Sequence, residues 1–117
     1  YGLCSREALT AAKILRGKGL SVRQVHVASL KPLDEAAVLE TLGKCRVTFT
    51  IEDHLLSGGL FSIVAELMAK RNKAAKVVPF ALEERWFVPT LLKDVLEVEG
   101  FTGEKLAERM SRAAEAT

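Results

Sequence analysis

The sequence has few of the residues from which catalytic and metal sites are commonly built. It contains two cysteines and two histidines in 117 residues, and no Cys-x-x-Cys spacing. A structural zinc site needs about four such ligands, and a nucleophilic serine or cysteine needs an activating histidine with a third, orienting group. A Gly-x-Ser-x-Gly segment is also absent. We therefore expect neither a nucleophilic hydrolase site nor a structural zinc site, and we expect Cys4 and Cys45 to be reduced, inert thiols.

A strong excess of charge and a long apolar run are absent too. Lys and Arg number 17 against 15 Asp and Glu, a formal net charge of +2, which is too small to predict nucleic acid or an anionic membrane as partner. No stretch reaches the roughly 20 apolar residues of a membrane span, and the first residues lack the blocks of a signal peptide. We expect a cytoplasmic protein. Because the sequence opens at Tyr1 without Met, we interpret it as a fragment of a larger chain.

Apolar periodicity predicts alternating helices and strands in one domain, residues 1–117. Apolar residues recur at helical spacing in five stretches and at strand spacing in three. Glycines 17 and 19 are expected to end the first helix, whereas Asp34, Thr90 and Thr102 are expected to cap later ones. This order predicts a mainly parallel sheet covered by helices on both faces. The predicted helices cover about 8–15, 35–42, 59–70, 91–99 and 103–110, and the predicted strands 20–28, 47–51 and 76–80.

A strand-to-helix turn holds the most suggestive polar residues of the chain. Glu52 and Asp53 are adjacent, so their side chains should point to opposite faces of a strand, and one of them is expected to brace the turn. One histidine, His54, beside two acids is a weak metal-ligand set. The glycines Gly58 and Gly59 could let helix N–H groups approach an anion. Alternatively, they could allow close packing against a neighbouring chain segment, which we favour.

A second suggestive segment places a guanidinium beside aromatic rings. Arg85 and Trp86 lie in a connection, 83–89, that has neither helical nor strand periodicity. Arginine and tryptophan are enriched at protein interfaces. The segment could therefore contact another domain or subunit, or it could form a lid over the core of this domain, and the sequence favours neither reading.

Several short motifs together resemble the C-terminal domain shared by transketolases, 1-deoxyxylulose-5-phosphate synthases and the beta subunits of 2-oxo acid dehydrogenase first components. Each motif is common by itself, but their order and spacing are specific. They are Glu7-Ala8-Leu9-Thr10-Ala11-Ala12, Leu30-Lys31-Pro32-Leu33-Asp34, Thr50-Ile51-Glu52-Asp53-His54, Gly58-Gly59-Leu60 and Val64-Ala65-Glu66.

The resemblance implies a three-layer α/β sandwich with a mixed, mainly parallel five-stranded sheet. Its first strand would lie just before Tyr1, and we expect this strand to be missing or truncated in the sequence. The resemblance further implies an enzyme that uses thiamine diphosphate and Mg²⁺, both held by other domains, because the Gly-Asp-Gly…Asn motif is absent here. We therefore assign no catalytic, cofactor-binding or metal-binding residue, and we expect this domain to be inactive alone.

By resemblance, the parent enzyme is a transketolase that transfers a two-carbon ketol unit between sugar phosphates, and this domain serves its assembly as a homodimer or heterotetramer. His54 favours a transketolase over a dehydrogenase beta subunit. The segment 82–89 departs from the common transketolase pattern, which leaves the sugar specificity open. The alternatives are a deoxyxylulose phosphate synthase, a 2-oxo acid dehydrogenase beta subunit, or a non-catalytic module that binds an anion at Gly58 and Gly59.

Overall fold

The computed structural model describes residues 2–116, which form five α-helices, two strands and a short 3-10 helix. None of the helices in this part of the chain is long and apolar enough to cross a membrane. After a 3-10 turn at Gly2–Cys4, the elements are α1 (Ser5–Gly17), α2 (Glu35–Lys44), β1 (Thr48–Leu55), α3 (Leu60–Lys70), β2 (Val77–Leu82), α4 (Leu92–Glu99) and α5 (Gly103–Glu115).

The two strands are parallel neighbours, and α3 connects them. The register runs from Thr48 opposite Val77 to Ile51 opposite Phe80, and it becomes irregular before Leu55 meets Leu82. Parallel strands need a crossover of this kind, because a tight turn would reverse the chain. The prediction of an α/β fold with a parallel sheet is confirmed. The first strand implied by the resemblance would precede Tyr1 and lies outside the described residues.

Each face of the sheet packs against a different pair of helices. On one face, Ile51 and Phe80 join apolar residues of α1 and α5, including Leu106, which is fully buried. On the other face, Val77 packs with a second cluster, formed mainly by α2 and α3. The β1–β2 pair is therefore the middle layer of a three-layer arrangement, and alternate residues of the strands belong to different cores.

The predicted strand at residues 20–28 has no ladder partner among residues 2–116 and is not a strand of the described sheet. Two of its side chains nevertheless pack on opposite sides of the segment. Val22 packs on the α1–α5 core, whereas Val27 packs on the α2–α3 core. The segment thus lies in the middle layer, but a cavity separates it from β1. The prediction was wrong about pairing, because hydrogen bonding in a sheet depends on a neighbour that local periodicity does not reveal.

The ends of several elements also test the sequence predictions. Asp34 caps α2 by accepting a hydrogen bond from Ala37 N at 3.0 Å, as expected. Gly17 ends α1, also as expected. Thr90 does not cap α4, because the N-cap is Leu91 and the Thr90 hydroxyl contacts Asp94 instead. β1 continues to Leu55, four residues past its predicted end.

Candidate functional site

Glu52 is a buried acid that joins the end of β1 to the start of α3. Its side chain is fully buried, and its Oε2 and Oε1 accept hydrogen bonds from the N–H groups of Leu60 at 2.6 Å and Phe61 at 3.0 Å. These N–H groups are among the helix-end donors that have no partner within the helix, and the helix dipole favours a negative charge there. Glu52 is therefore the acid that braces the turn.

Gly59 gives this carboxylate its space. A Cβ atom at Gly59 would lie 2.0 Å from Glu52 Oε2, much closer than atoms can pack. Gly59 itself has an extended backbone conformation, so its lack of a side chain, and not an unusual dihedral angle, is what the turn requires. Gly58 differs, because its φ of +85° lies in the left-handed region. Its N–H donates to Ser62 Oγ at 2.8 Å.

The N–H groups of Leu60 and Phe61 at the start of α3 are thus satisfied from within the chain. An anion from solution would have to displace Glu52, a carboxylate that already makes two hydrogen bonds inside a buried site. This geometry favours the close-packing interpretation of Gly58 and Gly59 over the anion-binding one, since two negative groups at one helix end would repel each other.

Asp53 and His54 do not join Glu52 in a common site. Asp53 lies beside the 3-10 turn, where a Cβ on Gly2 would come within 2.6 Å of its Oδ1. His54 Nδ1 lies 3.5 Å from the same Oδ1, and about half of the histidine side chain is exposed. Among residues 2–116, no group of three or more His, Cys, Asp or Glu side chains is arranged to hold a metal ion.

Cys4 is buried beside this end of the sheet, and both cysteines are free thiols. Burial, followed by the negative charge of Asp53, raises the pKa of the Cys4 thiol to about 11. Because the thiolate is the nucleophilic form, Cys4 is unreactive near neutral pH. This agrees with the expectation of an inert thiol.

Arg85 is held at the surface by two acids and an aromatic ring. Its guanidinium pairs with Glu99 and lies 3.6 Å from Glu83, and its centre stacks 4.6 Å from the ring centroid of Phe87. The hydrogen bond that Arg85 donates to Glu99 is the largest cause of a raised pKa of Arg85, which keeps the guanidinium charged. Glu99 could not be recognised as a partner from the sequence, because it lies 14 positions after Arg85.

Three large apolar residues close together in the sequence are exposed, and we call them the Trp86 patch: Trp86, Val88 and Leu91. Their exposed fractions are 99%, 81% and 65%. A lid over the core of this domain would bury Trp86, so its exposure argues against the lid interpretation. Leu91 was predicted to be the first residue of a helix at 91–99. It lies before the first turn of α4 and is exposed instead.

The turn and the Trp86 patch begin at the same edge of the sheet. Leu56 N, at the end of β1, donates to Leu82 O at 3.0 Å, and Leu82 is the last residue of β2. The carboxyl ends of parallel strands share one edge, so both segments leave the sheet there. Leu55 and Leu56 are also exposed, at 44% and 40%. This edge therefore combines a satisfied polar turn with apolar surface that no described residue covers.

Comparisons with known proteins agree on one family. The model of the family "Transketolase, C-terminal domain" matches residues 1–106. The chain is 42% identical over 104 residues to 1-deoxy-D-xylulose-5-phosphate synthase 2 of Geobacter sulfurreducens, covering 88% of this chain and 17% of that protein. It is 31% identical over 104 residues to a putative transketolase C-terminal section of Methanocaldococcus jannaschii, covering 89% and 32%.

A solved structure also matches over nearly the whole chain. It is described as a split gene transketolase, inactive beta4 tetramer, and it superposes with a TM-score of 0.85 at 31% identity, covering 96% of this chain and 36% of that one. The chain spans between about a sixth and a third of the length of the curated relatives compared with it.

Proposed function

This chain belongs to the transketolase C-terminal domain family, and from that membership we propose that it is the assembly domain of a transketolase that uses thiamine diphosphate. The whole enzyme transfers a two-carbon ketol unit between sugar phosphates. The domain holds subunits or domains together and takes no part in the chemical step.

The observation that carries this proposal is the position of Glu52. The strand-to-helix turn is where an α/β domain commonly binds a ligand, but here a buried carboxylate of the same chain uses the N–H groups of Leu60 and Phe61. The family signature around Glu52 and Gly59 is therefore proposed to stabilise the fold of the turn, where Glu52 occupies the donor pair that a substrate phosphate would otherwise use.

The cofactor is proposed to lie in other parts of the enzyme. Thiamine diphosphate, held through Mg²⁺, supplies the nucleophilic carbon of this chemistry. The residues of this domain do not fit that group, because the sequence lacks the Gly-Asp-Gly…Asn motif and residues 2–116 bring no metal-ligand cluster together. No catalytic step is derived for this domain, and we expect it to be inactive alone.

The Trp86 patch is proposed as the surface that contacts the rest of the enzyme. A fully exposed tryptophan beside a fixed arginine is typical of residues that dominate binding energy once buried. The matching solved structure is described as a beta4 tetramer of a split-gene transketolase. We accordingly propose a homodimer, or a heterotetramer of two kinds of subunit.

The proposed location is the cytoplasm, because two free thiols suit a reducing compartment.

Turnover by the complete enzyme tests the proposal. The full-length chain, with any partner subunit, is supplied with xylulose 5-phosphate as donor and ribose 5-phosphate as acceptor, in the presence of thiamine diphosphate and Mg²⁺. We expect ketol transfer in this assay and none from residues 1–117 alone. Turnover by the isolated domain, or a complete enzyme that uses only pyruvate as donor, would contradict the proposal.

A second candidate is a 1-deoxy-D-xylulose-5-phosphate synthase. It is favoured by the relative in Geobacter sulfurreducens, which carries that name at 42% identity. Such an enzyme would use pyruvate as donor, and the carboxyl group of pyruvate would leave as carbon dioxide when the two-carbon unit is transferred. Measuring carbon dioxide release beside ketol transfer therefore separates the two candidates.

A further inference from the structure

The helix α4 has apolar side chains on two faces, and only one of these faces packs on the domain. On the inner face, Leu96 packs against the α1–α5 core. On another face, Leu91 at the N-cap and Val98 lie about two helical turns apart, and they are 65% and 78% exposed. No residue of α4 is buried. Because a surface helix normally has one apolar face, the second face indicates a contact that residues 2–116 do not make.

The connection before α4 runs back along the helix and brings Trp86 to the same side of the domain. Arg85 pairs with Glu99, which is the last residue of α4, whereas Leu91 is the N-cap at the other end of the helix. Trp86 therefore lies near the end of α4 that carries Val98. We call the Trp86 patch together with Val98 the α4 surface.

Acidic side chains border the α4 surface. Residues 83–99 contain five acids and two basic residues, a net charge of −3, in a chain whose formal net charge is +2. Glu84, two positions before Trp86, and Asp94, in the first turn of α4, are both exposed. Neither of them forms an ion pair within the described part of the chain. Their charges are therefore available to a partner.

The arginine beside Trp86 does not cancel this negative charge. The guanidinium of Arg85 contacts Glu83 and Glu99 and stacks on the ring of Phe87. Two carboxylates thus surround one guanidinium, which leaves the group with a net negative charge. The other basic residue of the segment, Lys93, offsets one of the remaining acids. The α4 surface is therefore apolar with an acidic border.

We propose that the α4 surface docks into an apolar pocket that is rimmed by lysine and arginine on a neighbouring subunit of the complete enzyme. The inference rests on the proposed function, which assigns the Trp86 patch to assembly, and it adds the chemistry of the partner. A tryptophan buried in such a pocket supplies much of the binding energy. Complementary charges at the rim select the partner and speed association.

A second copy of this domain fits the α4 surface poorly. If two copies met through this surface about a two-fold axis, the acids of one copy would approach the same acids of the other, and they would repel. If the surface met a different face of a second copy, the contact would be heterologous and would build a ring or an open filament instead of a dimer. The partner surface therefore lies in another part of the neighbouring subunit.

The salt dependence of assembly tests this partner chemistry. Sedimentation velocity gives the concentration at which half of the complete enzyme dissociates. We expect this concentration to rise about tenfold between about 50 and about 500 mM NaCl, because salt screens attraction between opposite charges. At the lower salt concentration, Glu84→Lys should raise it at least about fivefold, and Glu84→Gln should have a smaller effect. Both differences should shrink in high salt.

The matched control is Glu66→Lys, which makes the same change of charge at an exposed position of α3 that has no ion pair among residues 2–116. It should change the dissociation less than about twofold. Equal effects of Glu84→Lys and Glu66→Lys would overturn the proposal. Assembly that strengthens with salt and is tightened by Glu84→Lys would also overturn it, because the α4 surface would then face another acidic surface, such as its own copy.

Trp86→Ala separates this inference from the proposed function. If Trp86→Ala weakens assembly but Glu84→Lys does not, the Trp86 patch remains an interface and the basic rim is wrong. If neither variant changes the dissociation, the patch has no role in assembly and both proposals for it are overturned. The ability of the enzyme to transfer a ketol unit is tested by turnover, which none of these measurements uses.

Discussion

The turn from Glu52 to Leu60 and the Trp86 patch leave the same edge of the sheet, but they are built in opposite ways. In the turn, a buried carboxylate meets two N–H groups and a glycine makes room for it. In the patch, Trp86 is 99% exposed, while its neighbour Arg85 is fixed by Glu83 and Glu99. In the turn, the buried carboxylate finds its hydrogen-bond partners within the chain. The Trp86 patch, in contrast, presents apolar surface that no described residue covers.

The difference shows how polar residues can mislead about function. Acids, a histidine and two glycines suggest chemistry, yet their contacts stabilise the fold. The patch has few polar groups but is the better candidate for a contact that the whole enzyme needs. Substitutions in the turn should therefore act on stability, and those in the patch should act on assembly.

Replacing Gly59 by valine should have the largest effect. The new Cβ would overlap Glu52 Oε2, at 2.0 Å, so either the carboxylate or the start of α3 must move. We expect a loss of about 3 kcal/mol in the free energy of unfolding, measured by urea denaturation. Gly17→Ala is the matched control, because nothing lies within 4 Å of a Cβ there, and its effect should stay within about 0.5 kcal/mol. Unchanged stability with selectively lost turnover in Gly59→Val would reverse our assignment of the turn.

Removal of the Glu52 carboxylate should have the second-largest effect on stability. Glu52→Ala leaves the N–H groups of Leu60 and Phe61 without an acceptor in a buried place, which costs about 2 kcal/mol. Glu52→Gln keeps one acceptor oxygen and should lose less. The amide resonances of residues 60 and 61 should shift in both variants, with the larger shift in Glu52→Ala. Equal stability of all three proteins would show that the helix end does not need this acceptor.

Trp86→Ala tests the Trp86 patch and should act on assembly instead of stability. The isolated domain should keep its stability within about 0.5 kcal/mol, because Trp86 buries almost nothing. The complete enzyme should dissociate at a concentration at least about tenfold higher, as expected for an interface tryptophan. Sedimentation velocity measures this shift. The control is Leu9→Ala, at a partly exposed site on α1. If both variants shift the dissociation of the enzyme equally, the Trp86 patch has no specific role in assembly.

The smallest effect concerns Glu40 and pH. Hydrogen bonds from Lys44 and then Arg23 lower the pKa of Glu40 from 4.5 to about 2 in the folded chain. A lowered pKa in the folded state adds stability above the unfolded value, and this stability is lost as pH falls from about 4.5 towards 2. The melting temperature of Glu40→Gln should therefore lie slightly below that of the parent at pH 6 and should equal it near pH 2. A difference that persists at pH 2 would mean that the charge of Glu40 is not its cause.

Local sequence patterns were sufficient to predict where the helices lie and part of the structure of the turn. The apolar spacing and the cap at Asp34 predicted α2, since both act within a few residues. Alternation along the strand predicted that Glu52 and Asp53 would separate, and that one would brace the turn. Which of the two did so depended on the face that packs on α3, and this is a property of the tertiary structure.

The remaining features depended on distant residues. The segment 20–28 has the alternation of a strand, but its ladder needs a neighbour that residues 2–116 do not provide. Thr90 resembled a helix cap, yet its hydroxyl contacts Asp94 and α4 begins later. The exposure of Val88 and Leu91 could not be inferred from an apolar composition that suits a core equally well.

Glu52 can also be described as a ligand that the protein carries on its own chain. Because it lies only eight positions before Leu60 in the same chain, its effective concentration at the helix end exceeds that of a free metabolite, which would usually be at millimolar levels or below. The helix end is thus saturated under all conditions in which the chain is folded. Changes in cellular phosphate or sugar phosphate should therefore leave the stability of this turn unchanged.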